Sequence, residues 1–286
     1  MTSQLRWQVK KITRMSMAVG SWATGYVAAA SARREPEVRV LTYHRFGPVG
    51  RDPFCVDPRD FEEQMAYLAD RQLAVSLAEF EEFVAGTSRL RHSAVLVTID
   101  DGFRSLYTTA LPILRHYAIP AAAFVTTSLV RPEARTPAVA PRSEDQLSWE
   151  ELAVLPGSGV AIGSHGRTHQ SLGRMSDQQI EEQVILSRTT LEQRLGHPVS
   201  AFAYPFGTRA DFSDRTAATL RRTGYRCAFT SQHGAIHPLM EPFCLPRIKV
   251  EGGEALWLFK LLVRGGMDNW AWIDRGLSRW QASEHS

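Results

Sequence analysis

From Val38 onward, short apolar runs alternate with amphipathic stretches. Seven runs read as strands: Val38–Tyr43, Ala94–Ile99, Ala121–Thr126, Val160–Gly163, Ala201–Tyr204, Cys227–Thr230 and Leu245–Val250. Most are rich in Val, Ile, Ala and Phe without clean alternation, as expected of strands covered on both faces. The stretches between them carry helix signals. Asp57-Pro58 offers an N-cap and a first-turn proline, with Phe61, Met65 and Leu68 then sharing a face. Ser76-Leu77-Ala78-Glu79 and Ser148-Trp149-Glu150-Glu151 are capping-box patterns. Ser176-Asp177-Gln178-Gln179 opens the longest helix, which places Ile180, Val184, Leu191 and Leu195 near one stripe and ends at Gly196 and Pro198. Another helix runs from about Asp214 to Thr223 and stops at Gly224.

Strands alternating with helices predict parallel βαβ units. Seven of them predict an α/β fold of the distorted (β/α)7-type barrel kind, with a C-terminal helical extension. That extension holds Trp257, Trp270, Trp272 and Trp280 at apolar spacing, as a helix pair covering the barrel would. The segment Arg131 to Gln146, rich in Pro, Arg and Ala, predicts an exposed loop at the rim of a site. The expected division is an N-terminal extension over 1–36, a barrel domain over 37–250 and a helical tail over 251–286.

Composition narrows the function classes. The 286 residues, 44% hydrophobic, suffice for one large core. A net charge of +3, with both signs interspersed, calls for no nucleic-acid partner. Cys55, Cys227 and Cys244 form no C-x-x-C pair, and the two in apolar runs read as structural thiols that leave the compartment open. Arg6, Lys10, Lys11 and Arg14 precede a small-residue stretch, Met15 to Ala32, that ends Ala30-Ser31-Ala32 like a secretion leader. That stretch contains no Leu, Ile or Phe, so a basic helix lying on the protein, or in peripheral contact with a membrane surface, is the favoured expectation.

Candidate chemistry sits at strand ends. Val95-Leu96-Val97-Thr98-Ile99 leads into Asp100-Asp101-Gly102. Two adjacent carboxylates converge only where a strand ends and the chain turns, which Gly102 allows. Their repulsion is relieved if a divalent cation takes one and the other remains as a base; a plain helix-capping pair is the structural alternative. Val160-Ala161-Ile162-Gly163-Ser164 leads into His165 and His169, whose spacing lets two imidazoles meet one ion. In a parallel barrel both ends share one face. His44 closes the first strand and is a candidate general acid. The turn Tyr204-Pro205-Phe206-Gly207 can offer a backbone N–H to an oxyanion and an aromatic wall to a sugar. Ile162-Gly163-Ser164-His165-Gly166 lacks the first glycine of a nucleophile elbow, and no phosphate-binding loop occurs.

Together these motifs resemble the polysaccharide deacetylases of carbohydrate esterase family 4, which include the nodulation-type chitooligosaccharide deacetylases. Val97-Thr98-Ile99-Asp100-Asp101-Gly102, Ser164-His165-Gly166-Arg167-Thr168-His169 and Phe202-Ala203-Tyr204-Pro205-Phe206-Gly207 look like the family's first three motifs, and the likeness spans about residues 38 to 250. It implies a divalent metal, usually zinc, on Asp101, His165 and His169. It also implies Asp100 as base, the Tyr204 N–H as oxyanion donor and an N-acetylated glycan as substrate. Two departures stand out. Ala203 occupies the place of an arginine that contacts the base, and Leu245-Pro246-Arg247-Ile248 lacks the late histidine. Bacterial exopolysaccharide deacetylases with an N-terminal acid histidine are the closer pattern, which casts His44 as the acid. Arg247 is then expected to steady the site or bind a substrate oxygen, and Phe206 to face the substrate. The alternatives are a hydrolase of a small amide or cyclic ureide, and a carbohydrate-binding relative without catalysis.

Overall fold

In the computed structural model the described residues are 13–21, 35–48, 52–132, 145–271 and 274. The strands are β1 (Val38–Tyr43), β2 (Arg45–Phe46), β3 (Cys55–Val56), β4 (Ala94–Ile99), β5 (Ala121–Val125), β6 (Val160–Ser164), β7 (Ala201–Ala203), β8 (Cys227–Phe229) and β9 (Ile248–Lys249). Seven of them form one parallel sheet in the order β8-β7-β6-β5-β4-β1-β9, and β2 with β3 make a small separate ribbon. The expected strand Leu245–Val250 shortens to β9 because the segment changes partners. The Leu245 carbonyl accepts from Thr230 N (2.8 Å) and its N–H donates to Ala228 O (3.0 Å), whereas Val250 N donates to Thr42 O (3.1 Å). Pro246, with no N–H to give, sits at the crossover. This segment therefore touches β8 on one edge and β1 on the other, curling the sheet into the distorted (β/α)7-type barrel.

The absence of alternation in the strands now has its cause. On β1, β4, β5, β7 and β8 one parity (Val40, Leu96, Phe124, Ala203, Phe229) packs inside the barrel, and the other (Leu41, Val97, Ala123, Phe202, Ala228) packs under the helices. Both faces are dry, so both are apolar.

The helices begin where their caps predict. Asp57 accepts from Arg59 N, and capping boxes form at Ser76, Ser148 and Ser176. Helix Pro58–Asp70 buries Phe61, Met65 and Leu68. The longest helix is helical throughout but carries a π turn over Glu182–Leu186, between Asp177–Glu181 and Ser187–Leu195. In the tail, helix Leu256–Val263 packs through Leu258, Phe259, Leu262 and Val263, whereas Trp257 is 47% exposed. The covering face is thus set by the leucines, and of the tryptophans Trp270 packs against the core. Trp272 and Trp280 lie outside the described residues, as do most of residues 1–36 and positions 133–144 of the expected rim loop. No helix among the described residues is long and apolar enough to cross a membrane.

Candidate active site

All seven strands point the same way, so their C-terminal ends form one rim. Tyr43 pairs with Ile99, which brings His44 and Asp100 off the sheet side by side. Both continue the inward parity of their strands, as does His165 after β6. Asp101 Oδ1 lies 3.4 Å from His165 Nε2 and 3.2 Å from His169 Nε2. Ligand atoms of the three residues all fall within 4.8 Å of one another. His165 Nδ1 lies 2.7 Å from Ala203 O. A carbonyl can only accept, so Nδ1 carries the proton, the arrangement that leaves Nε2 to the cation in metal-bound histidines. Burial would raise the Asp101 carboxyl, but hydrogen bonds to His165 and His169 hold it far below the usual range. The same Asp101 bond raises His169.

The turn that presents the two aspartates is sharp. Asp101 and Gly102 both have positive φ, 70° and 71°. A Cβ at Gly102 would come 3.3 Å from Val125 Cγ1 in a backbone region that side chains already disfavour. His169 (φ 53°) and Phe206 (φ 60°) share the left-handed conformation, so non-glycine strain gathers at this rim.

Asp100 is buried and gripped by Arg247, whose Nη1 donates to Oδ1 at 2.8 Å and Nη2 to Oδ2 at 2.7 Å. Arg247 also donates from Nε to Thr230 O at 2.9 Å and sits over the inward rings of Phe124 and Phe229. Of the roles expected for Arg247, the geometry shows the contact to Asp100. It fills the gap left by Ala203, from a position beyond the third motif. Burial alone would raise the Asp100 carboxyl, but attraction to Arg247, then to His165, outweighs it and leaves it ionised.

A cavity of about 450 Å³ opens over these groups, with His44, Arg45, Phe54, Phe103, Phe206 and Lys249 among its walls. His44 packs edge-on against Phe54 (4.8 Å, 79°), and its Nδ1 is buried without a hydrogen-bond partner among the described residues. Burial outweighs the pull of Asp100 and Asp101 and lowers the ring to about 4, so it rests neutral. Phe206 is 59% exposed, with its ring 5.0 Å from that of His169.

Tyr204 requires a correction. Its N–H donates to Phe229 O at 3.0 Å, and its side chain follows the outward parity of β7, with the hydroxyl on Phe243 O. An N–H spent in the sheet ladder is not available to an oxyanion. Two residues on, the strand has ended and the Phe206 N–H has no acceptor among the described residues. Gly207 makes that turn possible: at φ 63°, a Cβ there would fall 2.6 Å from Ser231 N.

The family model for polysaccharide deacetylases matches residues 87–228, the stretch holding Asp100, Asp101, His165 and His169. The chain carries a polysaccharide deacetylase domain. It is 23% identical over 207 residues to the poly-beta-1,6-N-acetyl-D-glucosamine N-deacetylase of Staphylococcus aureus strain MRSA252, covering 69% of this chain and 68% of that one. Its fold matches IcaB from Ammonifex degensii with a TM-score of 0.66 at 25% identity, covering 81% and 97% of the two chains. It also matches the Streptococcus pyogenes deacetylase PplD, solved with acetate, with a TM-score of 0.69 at 20% identity, over 80% and 98%; this second likeness is one of fold.

Several parts of the candidate site were not expected from sequence. Gln183, buried on the π turn, accepts from the Arg167 and Thr168 N–H groups (both 3.0 Å) and donates to Thr168 Oγ1, fixing the loop between the two histidines. The Gln146 amide lies 2.7 and 2.9 Å from the carbonyls of Asp101 and Gly102, so its NH2 is the end that meets them. The available signal for Gln183 was a polar residue beside Val184 on the buried stripe. Gln146 carried none.

Proposed function

We propose that this protein is a metal-dependent hydrolase that removes N-acetyl groups from an amino-sugar polysaccharide or oligosaccharide. The observation that carries this reading is the Asp101–His165–His169 donor set beside an ionised, Arg247-held Asp100 in one open cleft. One carboxylate oxygen and two imidazole nitrogens suit zinc among the divalent ions, and His165 is already oriented for it. When bound on those three residues, such an ion would acidify water and polarise the acetyl carbonyl.

The remaining work falls to the chain itself. Asp100 takes the proton of the attacking water. The Phe206 N–H donates to the oxygen on which negative charge develops. His44, neutral at rest, gains proton affinity as that charge builds, takes up through solvent the proton that Asp100 drew from the water, and passes it to the departing amine. Phe54 and Phe206 stand exposed at the cleft rim, where sugar faces stack; this favours a glycan chain over a small amide or cyclic ureide, which would want an enclosed pocket.

Purified protein supplied with zinc is expected to release acetate from N-acetylglucosamine oligomers, and His165→Ala to abolish both zinc binding and release. If Asp100→Ala and His165→Ala each kept wild-type activity, the assignment would fall. Metal affinity should also follow pH. Ligation needs neutral His169, and its raised pKa keeps it protonated to higher pH than an ordinary imidazole. Zinc titrations should therefore show affinity falling as pH drops through the range above and around the ordinary imidazole value of about 6.5. A flat profile over that interval would argue against His169 as a ligand.

A further inference from the structure

Residues 13–21 are helical, and their single basic residue faces inward. Arg14 is 2% exposed. Its Nε donates to Glu254 Oε1 at 3.0 Å, its Nη2 donates to Lys249 O at 2.7 Å, and its Nη1 lies 3.9 Å from Glu251 Oε1. Ala18 and Ser21 are buried on the same segment, and Met17 packs against the main core. The segment is therefore docked on the barrel, beside β9.

What Arg14 holds is the back of a cleft wall. Lys249 lies on β9, and its Nζ sits 3.1 Å from the centre of the Phe54 ring and 3.9 Å from Glu251 Oε1. Phe54 in turn packs against His44. The backbone repeats the connection: Val250 N donates to Thr42 O and Gly252 N to Pro53 O (3.2 Å), tying the strand behind Arg14 to both ends of the segment that carries His44 and Phe54. Glu251 and Glu254 are both buried, and Glu254 Oε2 accepts from Glu251 N. Two buried carboxylates this close need cations, and Arg14 bridges both.

We propose that Arg14 is a positioning residue for the reaction: from the N-terminal helix it clamps Lys249 and Glu254 and so fixes the Lys249–Phe54 wall against which substrate lies beside His44. The clamp places residues 13–21 with the catalytic domain rather than in an extension outside it, and a chain cut after Ala30-Ser31-Ala32 would lose it. The proposal rests on the reading of the cleft as the glycan site. Lys249 and Phe54 themselves are wall residues; Arg14 touches neither substrate nor the reacting groups.

The test uses the full-length protein as wild type, Arg14→Met, Arg14→Lys and the double variant Arg14→Met with Glu254→Gln. Arg14→Met should raise KM for N-acetylglucosamine oligomers about five-fold or more while kcat changes less than about two-fold. Amide hydrogen exchange should quicken in peptides covering 42–56 and 245–254 and stay unchanged in β5 and β6. The double variant removes the stranded charge and should recover thermal stability without recovering KM; Arg14→Lys should recover part of both. A role confined to stability predicts the reverse, with KM returning alongside stability in the double variant and exchange rising uniformly; that result, or wild-type KM and exchange in folded Arg14→Met, overturns the proposal. If Arg14→Met does not fold, Arg14→Lys and the double variant decide by the same two readouts. If the wild type releases no acetate, the deacetylase reading fails, and local against uniform exchange still decides whether Arg14 holds the wall.

Discussion

Asp100→Asn should fold, bind zinc and lose acetate release by about 10³-fold, in keeping with the loss of a general base. The side chain keeps its shape but can no longer take a proton. Its neighbour Asp101, the proposed metal ligand, is untouched, so zinc titration separates loss of the base from loss of the site. The variant should also melt at lower temperature, because Arg247 stays charged and now lies buried against a neutral amide. Near-normal release with normal zinc binding would remove Asp100 from the mechanism.

Arg247→Met should be the most disruptive single change outside the proposed metal ligands. It leaves a buried carboxylate with its main partner gone, a situation that costs roughly 3–5 kcal/mol at neutral pH. In the folded wild type the Asp100 pKa is depressed, so the pair contributes stability above the unfolded carboxylate range and loses it as pH falls through the folded value. The melting difference between wild type and variant should therefore be largest at neutrality and above, and shrink steadily as pH falls from the raised Asp100 value of the variant to the depressed one of wild type. Activity should respond in the same direction. With Arg247 gone, burial raises Asp100, and the acidic limb of the kcat/KM profile moves to higher pH. Arg247→Lys should restore little, since an ammonium cannot reproduce two parallel bonds to one carboxylate. An acidic limb that stays in place in Arg247→Met would mean that Asp100 is not the group titrating there.

Much of the site could be read from the chain alone because its parts are local. Asp100-Asp101-Gly102 and the His165–His169 pair each lie within a few residues of a strand end, and parallel strands bring such ends to one rim. The N-cap serines and Asp57 announced their helices for the same reason: a cap bonds within three residues. The tail was less legible. Trp257 had the spacing of a covering face, but which face turns inward depends on the surface it meets, and Leu258, Phe259 and Leu262 met it.

The sequence by itself determined the alternating units, the metal-ligand candidates and the fact that Asp100 lacked a partner at Ala203. Only the tertiary structure decided who that partner is. Arg247 stands 147 residues from Asp100, and Arg14 stands 240 from Glu254. It also decided that the Tyr204 N–H is consumed by Phe229 while that of Phe206 is left open, and that the Ala203 carbonyl orients His165. Periodicity and capping record what a residue does with its near neighbours along the chain. Pairing across the barrel depends on register and on the place where one segment leaves β8 for β1, and no local pattern carries that information.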